Sequence, residues 1–74
     1  MYILVNNNGV TRLCYNEGEV RLMLHQEEIG RYFNYLEFKR KFKGLVHNQI
    51  YNAPMVICGC EVTLLQPTYI LGAS

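Results

Sequence analysis

Tyr2-Ile-Leu-Val5 is an unbroken β-prone run, Asn6-Asn7-Asn8-Gly9 interrupts it, and Val10-Thr-Arg-Leu-Cys-Tyr15 resumes with a period of two. Asn-Gly tolerates the positive φ angles of tight hairpin turns, so these residues predict an N-terminal β-hairpin. The alternation puts Val10, Arg12 and Cys14 on one face of its second strand and Thr11, Leu13 and Tyr15 on the other. Asn16 with Glu19 three positions on resembles a capping box, and Val20, Met23, Leu24 and Glu27 then share a helical stripe. The same stretch also alternates as Val20, Leu22 and Leu24 and could be a third strand. The helix is favoured, because Gln26-Glu27-Glu28 continues it with good helix formers.

Gly30 marks a break. Residues 31–43 place Tyr35, Phe38 and Phe42 at helical spacing, with Arg31 a turn earlier and Tyr32 and Leu36 beside them. A second helix over Arg31–Lys43 is expected, with Gly44 as its C-terminal glycine; a strand is the alternative, since Tyr and Phe are strand-prone. Further on, Asn52-Ala53-Pro54 breaks the chain, and Met55–Leu65 reads as a late strand. Its near-continuous apolarity suits a central position, with Val56, Cys58, Cys60 and Val62 facing one way. Gly59 suggests a bulge or a close approach. Pro67 ends that run before the short apolar tail Thr68–Leu71. The fold class that follows is α+β: a small, mostly antiparallel sheet, built from the N-terminal hairpin and a late central strand, with one or two helices on one face.

Composition narrows the chemistry. The chain has 74 residues, half of them apolar and 18% charged, enough for one small domain spanning 1–74. No apolar run approaches the ~18 residues of a membrane span, and a cytoplasmic, soluble domain is expected. Asp and Trp are absent and Ser74 is the only serine, which leaves no plausible Ser nucleophile and no Asp-based two-metal centre. A glycine-rich phosphate loop and an EF-hand loop are also missing. Cys14, Cys58 and Cys60 are an odd number, against the even framework of a small secreted domain. With His25 or His47 they could form a zinc shell. Cys-x-Cys with a distant third cysteine lacks the paired-knuckle spacing of strong zinc sites, and buried free thiols are the commoner outcome. No cofactor and no catalytic residue is expected.

Charge is segregated. Residues 16–30 carry four acids and one base, residues 31–43 five bases and one acid, and the whole chain is +1. Near neutrality argues against bulk nucleic-acid binding, where basic domains are usual. The chain also holds nine aromatic rings, six of them tyrosines, which favour half-wet interfaces. Arg31, Tyr32, Tyr35, Phe38, Lys39, Arg40, Lys41, Phe42 and Lys43 therefore make the candidate partner-binding strip, a solvated helix end being the plainer reading.

The leading expectation is a non-enzymatic protein-binding module that occludes a surface on a larger partner, as small phage-type inhibitors and regulators do. The alternative is a nucleic-acid-binding regulator using the basic strip 31–43, and a third reading is a metal-binding Cys/His protein. A core this small rarely supplies more than ~3–5 kcal/mol, so a homodimer is also expected.

Overall fold

Asn8 (φ 52°) and Gly9 (φ 85°) both sit in the left-handed region, which is the backbone demand of a two-residue hairpin turn. They join strand β1 (Tyr2–Asn7) to strand β2 (Val10–Cys14) in the computed structural model, which describes residues 1–26 and 33–67. Asn6 ties the hairpin end: its Oδ1 accepts from the Gly9 amide at 3.2 Å and its Nδ2 donates to Thr11 Oγ1 at 2.9 Å. The predicted alternation holds, with Cys14 buried and Leu13 and Tyr15 exposed.

Helix α1 (Glu17–Gln26) starts on the predicted cap. Asn16 Oδ1 accepts from the Glu19 amide at 2.8 Å, and Asn16 Nδ2 donates to Glu19 Oε1 at 3.1 Å. Val20 and Leu24, one turn apart, are buried against the sheet, which settles the helix over the third-strand alternative. Glu27, Glu28 and Gly30 lie outside the described residues.

Helix α2 (Tyr35–His47) differs from expectation at both ends. Asn34 is extended and caps it, its Oδ1 accepting from the Glu37 amide at 3.0 Å. At the other end the helix runs through Gly44, because Leu45 continues the buried stripe of Phe38 and Phe42. It stops at Gln49, whose φ of 51° is left-handed. The Gln49 amide donates to Val46 O at 3.1 Å and the Ile50 amide to Leu45 O at 3.0 Å. That pair of bonds is the Schellman arrangement, here with Gln where Gly is usual.

The late strand is really a hairpin. Strand β3 (Met55–Ile57) and strand β4 (Cys60–Leu65) are joined by Cys58 (φ 50°) and Gly59 (φ 84°). Ile57 pairs with Cys60, so Met55 and Ile57 share the inner face with Cys60, Val62 and Leu64. Val56, expected on that face, points outward and is 58% exposed. Cysteine has no special tolerance for positive φ. The turn is held instead by tertiary bonds: the Cys58 amide donates to Glu37 Oε2 at 3.2 Å, and the Asn34 amide donates to Cys58 Sγ at 3.5 Å.

The sheet order is β2-β1-β4-β3, antiparallel throughout, so the late strand β4 is central as predicted. A small α+β fold results, with both helices on one face. Ile3, Val5, Val62 and Leu64 meet Val20, Leu24, Phe38, Phe42 and Leu45 in one continuous core. No described helix is long and apolar enough to cross a membrane.

Candidate protein-docking site on the second helix

Helix α2 carries two stripes, and their separation creates the site. Phe38, Phe42 and Leu45 recur at helical spacing and face the sheet. Roughly on the other side, Leu36, Arg40, Lys43 and His47 recur at the same spacing and face outward, with Lys39 beside them. Leu36 is 78% exposed, with Lys39 and Arg40 one helical turn further on.

Between this outer stripe and the start of the chain lies an open groove of about 580 Å³. Phe42 and Val46 line it from α2, Met1 from the start of β1, and Glu17 from the first turn of α1. Lys39, Arg40, Lys43 and His47 supply its polar edge. Three fixed cations stand against the single carboxylate of Glu17, so the groove is apolar within and cationic around its margin.

Two further contacts set how the basic residues are used. Lys39 Nζ lies 5.4 Å from the centre of the Tyr35 ring, a cation–π arrangement worth about 0.5–1 kcal/mol at an exposed site. Lys41 turns away from the groove: its Nζ donates to Glu37 Oε2 and to Val56 O, each at 3.2 Å. Glu37 thus joins Lys41 to the Cys58 amide. The Cys58 amide, first, and Lys41, second, hold the Glu37 carboxyl below the usual carboxylate range.

The candidate strip is therefore divided. Tyr35, Lys39, Arg40 and Lys43 are exposed and adjacent. Phe38 is fully buried and stacks on Phe42 with ring centres 5.5 Å apart. It belongs to the core, because the amphipathic stripe that positions it is the one α2 lays on the sheet, and an intact fold cannot offer it to a partner. Phe42, 3% exposed, does the same and reaches the groove only as its floor. Lys41 is committed to the α2–β3 junction. Arg31 and Tyr32 lie outside the described residues, as do Tyr69 and the rest of Thr68–Leu71.

Val46 and His47 are additions that the helix boundary explains, since a helix stopped at Gly44 never brings them round to the groove, whereas Leu36 lies within the expected helix, beside the aromatic stripe and outside the basic strip. Met1 and Glu17 have no sequence signal; only the packing of β1 and α1 beside α2 brings them there.

The thiols are dispersed in role. Cys14 and Cys60 point into the core and Cys58 occupies the β3–β4 turn, and none of the three is in a disulfide. Burial, aided by the Glu19 charge, pushes the Cys14 thiol up, only partly opposed by Arg12. Among the described residues no group of three or more His, Cys, Asp or Glu side chains could hold a metal ion. His25 packs its ring against Phe33, centres 4.9 Å apart.

Fold and site define a two-layer α+β domain in which one helix both closes the core and presents a cationic, apolar-floored groove. Comparison with protein-family models, with curated proteins and with solved structures finds no match to this chain.

Proposed function

We propose that the chain is a non-enzymatic protein-binding module that captures an acidic segment bearing apolar side chains in the groove along α2. The observation carrying this reading is the exposed leucine, Leu36, set among Lys39, Arg40 and Lys43 above an apolar floor. An apolar side chain of the partner would enter over Phe42 and Val46, and its carboxylates would meet the cations at the margin. This is the division of labour in helix-in-groove recognition, where buried anchors give affinity and rim charges give encounter rate and register. A module of this kind would act on a larger protein as an inhibitor or regulator, by covering the segment it holds.

Nucleic acid suits the groove less well. Single-strand binding uses free aromatic faces on which bases stack. Among the described rings near the basic residues, Phe38 and Phe42 are buried and Tyr35 is already apposed to Lys39.

Selection from a displayed random-peptide library against the immobilised chain tests the proposal. Enriched peptides should combine Asp or Glu with Leu, Ile, Phe or Trp, and should lose binding to the folded variant Leu36→Glu with Lys43→Glu. Enrichment without acids, or equal binding to that variant, would overturn it. Titration of labelled oligonucleotides at two salt concentrations separates the alternative, whose affinity falls steeply with salt.

A further inference from the structure

The groove along α2 has two unlike walls. Lys39, Arg40 and Lys43 line it from α2, whereas Glu17, in the first turn of α1, supplies the only carboxylate among the described lining residues. Glu17 and Glu19 share that first turn but not a role. Glu19 Oε1 accepts from Asn16 Nδ2 at 3.1 Å and so belongs to the helix cap. Glu17 is exposed, and it makes no ion pair or hydrogen bond with a described residue, the three groove cations included. The two helices are each seated on the sheet by their own buried stripe, Val20 and Leu24 for α1 and Phe38, Phe42 and Leu45 for α2. Opposite charges are therefore held apart across an apolar floor.

We infer that Glu17 is a specificity-determining residue of the groove, selecting acidic, apolar segments that also carry one basic side chain on the edge facing α1. The inference rests on the proposed function and narrows its partner class. Carboxylates of the segment face α2, an apolar side chain enters over Phe42 and Val46, and the single cation meets Glu17. A segment acidic along both edges would set a carboxylate against Glu17, a repulsion that works by rejecting the wrong partner. The same polarity fixes direction. Turned end for end, the segment would bring its cation to Lys39, Arg40 and Lys43 and its carboxylates to Glu17, so one direction alone keeps unlike charges together. An exposed pair of this kind changes affinity by roughly two- to fivefold, enough to choose among segments and too little to hold one.

Parallel selections from a displayed random-peptide library, against the unmodified chain and against Glu17→Gln, test the inference. Peptides enriched on the unmodified chain should combine acids and apolar residues with one Lys or Arg at a fixed spacing from the acids. On Glu17→Gln the acids should persist and the base should lose its fixed place. In a double-mutant cycle on one selected peptide, replacing its base by Gln, or using Glu17→Gln, should each weaken binding by roughly two- to fivefold. The two changes together should weaken it no more than either alone, and the coupling should vanish at about 1 M salt. A helix-dipole role for Glu17 alone would lower stability and leave the choice of peptide unchanged. Acidic peptides without a placed base, or a base kept equally on Glu17→Gln, would overturn the inference and leave the groove's preference for acids standing. Peptides without acids would overturn both.

Discussion

Replacing Gly44 by alanine gives opposite signs for the two possible ends of α2, and the end of α2 decides whether the groove exists as described. In the structure Gly44 is interior to the helix, and a Cβ added there meets nothing within 4 Å beyond its chain neighbours and the backbone of its own helix turns. Glycine in a helix interior costs about 0.8–1.0 kcal/mol relative to alanine, through backbone entropy and unshielded peptide groups. With no steric penalty to offset it, Gly44→Ala should stabilise the domain by about that amount. For a domain of this size, 1 kcal/mol moves the melting midpoint by about 4–8 °C. With a urea m-value near 1 kcal/mol/M, the denaturation midpoint should rise by about 1 M. Had the helix ended at Gly44, with that residue left-handed, alanine would instead cost about 1–2 kcal/mol. Paired thermal and urea melts followed by far-ultraviolet circular dichroism distinguish the two. A lowered midpoint would refute the continuation of α2 to His47, and with it the placement of Val46 and His47 in the groove.

Further outcomes follow from the same contacts. Gln49→Gly should stabilise by about 0.5–1 kcal/mol, the left-handed penalty removed less the extra entropy of an unfolded glycine, read in the same melts. Phe38→Ala removes a fully buried ring at a cost of about 3–5 kcal/mol, comparable with the whole stability of so small a domain. Its near-ultraviolet dichroism and amide dispersion should collapse, whereas a surface docking residue would leave both intact. Glu37→Gln should destabilise at neutral pH, and the gap from the unmodified chain should close on acidification. The folded carboxyl is held below its usual range, so its contribution is present above the unfolded pKa and is lost as pH falls through the ordinary carboxylate range and then the folded value. A gap that stays constant down to about pH 3 would contradict the Glu37–Cys58 bond.

What could be read from the residues was what is settled locally. Asn8-Gly9 and Asn16 with Glu19 each act within a few positions, so the first hairpin and the start of α1 follow from composition at the turn and cap. The second hairpin did not, because Cys58-Gly59 lacks the usual turn chemistry and is held by a carboxylate 21 positions away on α2. Gly44 misdirected the helix end for a related reason: glycine permits a stop without requiring one, and the burial of Leu45 favours going on. The cationic stripe was legible because Arg40 and Lys43 fall at helical spacing. The division between core and surface was not, since spacing puts Tyr35 in line with Phe38 and Phe42, yet Tyr35 is 47% exposed while the two phenylalanines are buried. Nothing in the order of residues brings Met1 and Glu17 beside α2.

The groove itself is tested most directly by amide chemical shifts of the isotope-labelled chain, titrated with a synthetic peptide of alternating glutamate and leucine. Saturable shifts clustered on Leu36, Lys39, Arg40, Lys43, Val46 and His47 are the predicted result, lost in the folded Leu36→Glu with Lys43→Glu variant. No shifts, or shifts gathered on Tyr2, Leu4 and Leu13 of the opposite face, would contradict it.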